Sequence, residues 1–130
     1  MKKRVTGIGG IFFKCDDPEK VKVWYKDHLG IESDEISALF KWRDYQDSSK
    51  VGTTVWGPFA KDTKYYDPST KDYMINYRVE NLAELLEILR EEGVEIVGQI
   101  EEYEYGKFAW IMDPEGRKIE LWEPIDAAFL

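Results

Sequence analysis

Residues 7–30 read GIGGIFFKCDDPEKVKVWYKDHLG and predict a strand that is followed at once by a helix. The segment from Val5 to Cys15 is rich in β-branched and aromatic residues, as is typical of a strand. Asp17 supplies an N-capping side chain, and Pro18 fills the first helical position, where its missing N–H is harmless. Gly30 then ends the helix.

Two features of this stretch, its strand glycines and the apolar face of its helix, indicate how it packs in the fold. Gly9 and Gly10 interrupt the strand, which indicates a bulge, a bend or a close approach by another group. On the helix, the apolar residues fall on one face and are expected to join the core: Val21, Trp24, Tyr25 and Leu29.

The chain continues with short strands and a polar connection. The segment Ile31 to Trp42 predicts two strands, and Val51 to Pro58 predicts a third. Lys61 to Lys71 (KDTKYYDPSTK) is polar and rich in turn residues, so we interpret it as a linker.

After the linker the pattern restarts. Tyr73 to Val79 predicts a strand, and Asn81 with Glu84 three residues later resembles a capping box. A helix with a leucine stripe follows and ends at Gly93. Three further strands are predicted, at Val94 to Ile100, Lys107 to Met112 and Lys118 to Glu123, with a DPEG hairpin turn at 113–116 between the last two.

The element order is therefore βαβββ, linker, βαβββ, an internal repeat at a spacing of about 65 residues. GIFFKCDDPEKV (10–21) lies over MINYRVENLAEL (74–85), and TTVWGP (53–58) lies over IELWEP (119–124). The second match pairs Trp56 with Trp122 and Pro58 with Pro124.

Composition excludes several classes of function. The net charge of −8 argues against a nucleic-acid or anionic-membrane partner. The N-terminal MKKRVTGIGG has no apolar run of a secretion signal, and no segment approaches the length of a membrane span. The single cysteine, Cys15, cannot form an internal disulfide, so a cytoplasmic location is expected.

The paired repeat resembles the vicinal oxygen chelate superfamily, which includes glyoxalase I, bleomycin-resistance proteins and extradiol dioxygenases. The resemblance rests on DPEKVKVWYKDHLGI (17–31) and on DPEG with IELWEP (113–124). It implies an α+β fold in which two βαβββ modules form one glyoxalase-like domain over residues 1–130. Module one would span about 5–60, the linker about 61–71 and module two about 72–124. It also implies a homodimer.

Metal-using members of this superfamily place one ligand on the first strand and one on the last strand of each module. The resemblance carries these positions to Gly10, Thr54, Met74 and Glu120. Only Glu120 is a good ligand, because glycine has no side chain, a neutral hydroxyl binds weakly and a thioether prefers soft ions. We therefore expect no metal and no other cofactor, and a divalent ion is disfavoured. The vacancy at Gly10 would enlarge a pocket.

Strand alternation predicts which residues share the cleft. With Gly10 and Glu120 facing inward, the same face receives Phe12, Lys14, Thr54, Trp56, Met74, Asn76, Arg78, Lys118 and Trp122. The opposite face is aliphatic and is expected to lie under the helices. A mostly apolar surface with a few polar groups is typical of a small-molecule site.

Each candidate residue has a structural alternative. Glu120 is either a general base or a buried acid satisfied by Arg78, Lys14 or a hydroxyl. Arg78 either anchors a ligand carboxylate or pairs with Glu120. The cleft aromatics either stack on a flat ligand or pack between the modules. Tyrosines in KYYD (64–67) and EYEYGKF (102–108) either roof the cleft or lie in a dimer interface.

Two functions remain open. The first is a metal-independent binder of a small aromatic or amphipathic molecule, with Phe12, Thr54, Trp56, Met74, Asn76, Arg78 and Trp122 as ligand contacts. The alternative is a lyase, isomerase or dioxygenase of the vicinal oxygen chelate type that uses Glu120, with or without a non-standard metal site. The sequence motivates the binder, because it lacks the ligands that the enzymes use.

Overall fold

The computed structural model describes residues 4–35 and 37–129. Within them, seven strands and two α-helices precede a short C-terminal 3-10 helix. Their bounds are β1 Gly7–Cys15, α1 Pro18–Leu29, β2 Ala38–Arg43, β3 Val51–Ala60, β4 Tyr73–Arg78, α2 Leu82–Glu91, β5 Ile96–Tyr103, β6 Gly106–Met112, β7 Lys118–Pro124 and η1 Asp126–Phe129. No helix in the described residues is long and apolar enough to cross a membrane.

All seven strands form one sheet in the order β2-β3-β1-β4-β7-β6-β5. β1 pairs with β3 in parallel, β4 pairs with β7 in parallel, and the antiparallel pair β1–β4 joins the two halves. The halves are thus related by an approximate two-fold repeat at the sheet centre. This is the α+β arrangement expected from the sequence.

The first half departs from the expected βαβββ order. Among its described residues, one strand, β2, lies in the segment where two were predicted, so this half reads βαββ while the second half keeps all four strands. Before β2, two hydrogen bonds join Asp34 and Ser37: the Asp34 amide donates to the Ser37 carbonyl at 2.9 Å, and the Ser37 amide donates to Asp34 Oδ1 at 2.8 Å. A side chain that bonds its own backbone in this way competes with strand pairing.

The two helix starts and the last hairpin follow the sequence signals. Asp17 Oδ1 accepts from the Lys20 amide at 3.1 Å, and Asn81 Oδ1 accepts from the Glu84 amide at 3.2 Å. In the 113–116 turn, the Gly116 amide donates to the Asp113 carbonyl at 3.2 Å. These caps and turns were predicted because each depends on local side-chain chemistry.

α2 covers its half of the sheet as predicted. Its buried leucines pack on Val79, Ala109, Ile111 and Leu121. The opposite face of the sheet carries a second buried cluster, formed by Tyr66, Met74, Phe108, Trp110 and Trp122. The candidate site is built on this second face.

α1 covers the sheet less completely, and the predictions that Trp24 and Leu29 join the core are wrong, since Leu29 is 62% exposed. Trp24 is 52% exposed and packs along the helix against Tyr25 and His28, at ring distances of 5.3 and 4.8 Å. Lysines interrupt the apolar stripe of α1, so the helix has no fully buried residue. Tyr25 makes the main contact by stacking on Trp56 at 4.9 Å.

Candidate ligand-binding cavity

A single row of paired residues crosses the whole sheet. From β2 to β5, the strand registers place in line Leu39, Val55, Gly10, Asn76, Glu120, Trp110 and Val97. Because paired residues on neighbouring strands point to the same face, these positions converge on one surface. Most of them line a cavity of about 480 Å³ on the face opposite the helices.

The base of the cavity is polar at one point, the Glu120 carboxylate. Glu120 is 3% exposed, and its Oε1 accepts from Asn76 Nδ2 at 2.7 Å. Its Oε2 accepts from Trp110 Nε1 at 2.9 Å and from the Tyr65 hydroxyl. Three neutral donors therefore satisfy a buried carboxylate, and within the described residues no salt bridge to it occurs.

Of the three partners predicted for Glu120, a hydroxyl is the one found, that of Tyr65, whereas Arg78 and Lys14 are engaged elsewhere. Arg78 Nη2 instead pairs with Asp126 Oδ2 at 2.6 Å, and its Nη1 donates to the Thr53 carbonyl at 3.2 Å. Lys14 Nζ lies 5.1 Å from the centre of the Tyr66 ring. Arg78 is thus engaged in holding the C-terminal 3-10 helix and does not line the cavity.

Aromatic rings form most of the cavity wall. On one side, Phe59 and Tyr65 stack at 5.7 Å and 12°. On the other side, Tyr103 and Tyr105 stack at 5.5 Å and 9°, and both meet the edge of Phe108. Of the two placements left open for the tyrosine-rich segments, the first agrees with the structure at Tyr65, Tyr103 and Tyr105, which line the cavity.

Burial shifts the pKa of three ionisable groups in or beside the cavity wall. Burial, followed by the nearby Glu120 carboxylate, raises the pKa of the Tyr65 phenol well above its usual value. Burial also raises the pKa of Tyr66, whose hydroxyl has no hydrogen-bond partner among the residues that the structure describes. Lys118 lies behind the wall, where its Nζ donates to the Tyr65 carbonyl at 2.8 Å, and burial lowers its pKa.

The structure brings four of the predicted site residues to the cavity: Phe12, Asn76, Glu120 and Trp122. Met74 is buried in the aromatic cluster next to it. The predicted inward placement of Trp56 is wrong, because Trp56 contacts Phe13 and Tyr25 on the helix side. Thr54 lies outside the cavity as well, where its hydroxyl accepts from Trp42 Nε1 at 2.8 Å and donates to the Ile8 carbonyl at 2.7 Å.

The error on β3 is a register slip of one residue. Val55, not Thr54, pairs with Gly10 and lines the cavity. A shift of one residue in a strand exchanges its two faces, so Trp56 moves with Thr54 to the other side. Likewise Asn76, not Met74, lies opposite Gly10 on β4.

The two strand glycines have distinct roles. The β1–β4 register shifts between Ile8 and Gly10, which places a bulge at Gly9. A Cβ at Gly9 would lie 2.2 Å from Asn76 Oδ1, so only glycine fits there. A Cβ at Gly10 would lie 2.6 Å from the Phe12 ring, which fills the space that was expected to enlarge the pocket.

Several residues that line the cavity were not predicted from the sequence. Phe108 and Trp110 pair with Trp122 and Glu120 across the β6–β7 hairpin. The DPEG turn could have revealed both, because turn length fixes the register of a hairpin. Phe129, which lies 5.8 Å from Trp122, gave no comparable signal.

The residues at the centre of the row do not fit a divalent metal. Gly10, Val55, Asn76 and Glu120 offer one carboxylate and one amide, whereas catalytic metal sites use about three protein ligands. Both Glu120 oxygens also face hydrogen-bond donors. Within residues 4–35 and 37–129, no group of three or more His, Cys, Asp or Glu is placed to hold a metal ion.

Comparisons with known proteins place this geometry in context. The sequence model of the glyoxalase/bleomycin resistance protein/dioxygenase superfamily matches residues 7–121. No curated protein matches the chain.

Solved structures with the same fold share little sequence with the chain. Methylmalonyl-CoA epimerase from Mycobacterium tuberculosis is 21% identical with a TM-score of 0.61, over 100% of this chain and 96% of that one. A Streptomyces coelicolor methylmalonyl-CoA epimerase in complex with 2-nitronate-propionyl-CoA is 16% identical with a TM-score of 0.68, over 92% and 98%. A glyoxalase/bleomycin resistance protein/dioxygenase superfamily member from Vibrio splendidus 12B01 is 13% identical with a TM-score of 0.57, over 89% and 97%. At these identities the likeness concerns the fold alone.

Proposed function

Because the chain belongs to the glyoxalase/bleomycin resistance protein/dioxygenase superfamily, whose members share a fold and differ in chemistry, we propose its function from its own cavity: it binds a small aromatic or amphipathic molecule without a metal. The observation that carries the proposal is the aromatic lining. Nine of the seventeen described residues around the cavity are Phe, Tyr or Trp.

The size and chemistry of the cavity support a small ligand. A volume of about 480 Å³ lies within the usual range for small-molecule sites. Phe12, Trp110 and Trp122 offer ring surfaces, and Asn76 with Glu120 offers the few polar groups that orient a ligand. We assign the contacts to these five residues.

The donor set around Glu120 supports metal independence. A metal would have to displace the Asn76, Trp110 and Tyr65 donors from Glu120 and then find further ligands. Gly10 and Val55, which lie in the same row of the sheet as Glu120, have no side-chain atom that could bind a metal. A ligand that exploits the ring surfaces requires no such rearrangement.

Catalysis by Glu120 as a base is the alternative, and the place of this carboxylate in the cavity favours it. Its three donors argue against it, since they occupy three of about four lone-pair directions of the carboxylate. If the alternative holds, a folded E120Q protein still binds its substrate but does not convert it. Product analysis with the bound compound distinguishes the two functions.

An acyl-CoA ligand like those of the epimerase structures fits this cavity poorly. Such a ligand carries several negative charges, which basic side chains normally hold. The described residues around the cavity include Asp34, Glu101 and Glu120 but no Lys or Arg. The proposal therefore differs from the function of these structural neighbours.

The chain is also proposed to act as a cytoplasmic homodimer. The exposed apolar side chains of α1 support an interface, because Val23, Trp24 and Leu29 are each more than half exposed. The lone thiol of Cys15 is compatible with a reducing compartment. Light scattering after gel filtration measures the mass, and a monomer at micromolar concentration would contradict the dimer.

The test of binding is a screen of aromatic and amphipathic compounds by tryptophan fluorescence and thermal shift. Trp110 and Trp122 line the cavity and should respond, whereas Trp56 lies on the other face. V55F fills the cavity and should abolish binding, while V5F makes the same change at the exposed Val5, outside the cavity, and should leave binding intact. Equal binding by both variants, or no response to the whole library, would refute the proposal.

A further inference from the structure

The 3-10 helix η1 is attached to the sheet mainly through its two ends. At one end, Asp126 Oδ2 pairs with Arg78 Nη2 at 2.6 Å. At the other end, the Phe129 carbonyl accepts from Lys41 Nζ, and the Phe129 ring meets Trp122 edge to face at 5.8 Å. Between these ends, both alanines of η1 are exposed. A segment with so little buried surface can detach locally while the sheet stays folded.

One end of η1 forms part of the cavity wall. Phe129 lines the cavity beside Trp122, which is 2% exposed. The Tyr105 carbonyl accepts from Trp122 Nε1 at 2.9 Å and from the Ile125 amide at 3.1 Å, so it joins the start of this segment to the tyrosine wall. Release of η1 would therefore remove Phe129 from the wall, expose Trp122 and open the cavity along this side.

The attachment point for Asp126 is rigid. The Arg78 guanidinium carbon lies 5.1 Å from the centre of the Trp42 ring and 5.3 Å from that of Trp122. Its Nη1 also donates to the Thr53 carbonyl at 3.2 Å. Arg78 is 6% exposed, so loss of its acidic partner would leave a buried charge uncompensated. The ion pair with Asp126 therefore favours the closed position of η1.

Other charged groups line the surface groove next to the Arg78–Asp126 pair. They are Asp44, Asp47, Lys50, Glu80 and Glu123. Glu123 Oε1 is engaged elsewhere, since it accepts from the Leu82 amide at 2.9 Å. Asp126 is the carboxylate that the structure places on Arg78, so a change at Asp126 tests this attachment.

From these contacts we propose that η1 acts as a clasp on the cavity. When closed, as in this structure, it holds Phe129 in the wall and retains the ligand. When open, it leaves the sheet intact and lets the ligand dissociate. Opening breaks one ion pair, two hydrogen bonds and one ring contact, a small part of what unfolding of the sheet would break. The opening is a property of the free chain, whereas retention of a ligand rests on the proposed binding function.

The first part of the test needs no ligand. Amide hydrogen exchange followed by NMR compares the Ile125 and Ala128 amides with the Val79 amide, which donates to the Trp122 carbonyl within the sheet. In the wild type, the first two amides should exchange at least about tenfold faster than the amide of Val79, because they become exposed by local opening.

Two variants weaken the clasp at its separate ends. D126N and K41Q should each accelerate exchange of the Ile125 and Ala128 amides a further threefold to tenfold or so, and should leave Val79 unchanged. D62N makes the same change as D126N at an exposed residue outside the cavity lining and should alter none of these rates. K41Q changes an exposed side chain and leaves no buried charge, so it decides if D126N destabilises the whole protein.

The second part measures retention with N-phenyl-1-naphthylamine, an aromatic dye whose fluorescence rises in an apolar site. In stopped-flow dilution of the complex, dissociation should be about threefold to tenfold faster in D126N and K41Q than in the wild type, and unchanged in D62N. Among the described residues that line the cavity, neither Asp126 nor Lys41 occurs, so faster dissociation reports release of η1 and not loss of a ligand contact. Bound dye should in turn slow exchange of the Ile125 and Ala128 amides.

The outcomes distinguish the clasp from the function on which retention rests. If the Ile125 and Ala128 amides exchange no faster than that of Val79, or respond to D62N as they do to K41Q, η1 does not open by itself and the clasp is refuted. Dissociation that is unchanged in both D126N and K41Q refutes retention, while the binding function stands. If the dye does not bind the wild type, the proposed binding of aromatic molecules is refuted together with retention.

Discussion

The side-chain amide of Asn76 donates to the Glu120 carboxylate at 2.7 Å, between residues that lie opposite each other on the parallel strands β4 and β7. Both side chains are almost fully buried. Together with Trp110 and Tyr65, Asn76 holds a buried negative charge by neutral hydrogen bonds. The Oδ1 atom of the same amide lies against Gly9, where a Cβ would stand 2.2 Å from it.

Replacing Glu120 by Gln should lower the free energy of unfolding by about 2–4 kcal/mol. The new amide would replace one acceptor oxygen by an NH₂ group, which would face Asn76 or the Trp110 and Tyr65 donors. Urea unfolding at pH 7 measures the change. E102Q, an exposed substitution on β5, is the matched control and should shift stability by less than about 0.5 kcal/mol. Equal stability of E120Q and E102Q would contradict the role assigned to this network.

Stability should fall as the pH rises above about 10, the usual phenol pKa. The Tyr65 pKa is raised in the folded protein, so the unfolded chain loses this proton first and folding stability declines with pH. The variant Y65F lacks this contribution and should decline less steeply, although it starts lower at pH 7 because Glu120 loses a donor. Urea unfolding of both proteins between pH 8 and 11 tests the sign. A steeper decline in Y65F would show that the assignment is wrong.

The sequence predicts those parts of the fold that depend on local chemistry. Asp17 and Asn81 cap helices, and the DPEG turn joins the last two strands, because each signal acts over three or four residues. Alternation along β1, β4 and β7 also places Phe12, Asn76 and Trp122 on the correct face. In strands with one aliphatic and one mixed face, the sequence therefore predicts which residues point toward the cavity.

The remainder depends on pairing between distant strands. β3 (VGTTVWGPFA) has apolar residues on both faces, so its pattern does not fix which face is buried. The Trp and Pro that it shares with β7 suggested the wrong register, since Trp56 packs under α1 while Trp122 lines the cavity. Tyr65 reaches Glu120 from an irregular segment, and no periodicity describes such a contact.

Purified protein should contain far less than one equivalent of any divalent metal. Glu120 is the one carboxylate in the central row, and its oxygens already accept from three donors. Elemental analysis of tag-free protein prepared without chelators measures the content. The melting temperature should be the same with EDTA, with divalent ions and with neither. Near-stoichiometric metal whose removal lowers the melting temperature would overturn the metal-independent proposal.

Substituting Gly9 by Ala should damage the cavity and the fold together. The added Cβ would lie 2.2 Å from Asn76 Oδ1 and 2.9 Å from both Arg78 Cγ and Trp122 Cε3, all buried groups with little room to move. We expect a loss of about 1–3 kcal/mol in unfolding free energy, as in other overpacked cores. G10A is the comparison, because the nearest atoms to its Cβ would be in the ring of Phe12, which can turn aside, followed by the Cβ of Asn76 at 3.2 Å. The displaced Asn76 lines the cavity, so binding of an aromatic ligand should also weaken in G9A more than in G10A. If G9A is as stable as the wild type, the close packing of β1 against Asn76 is refuted, and with it the reason for a glycine at this bulge.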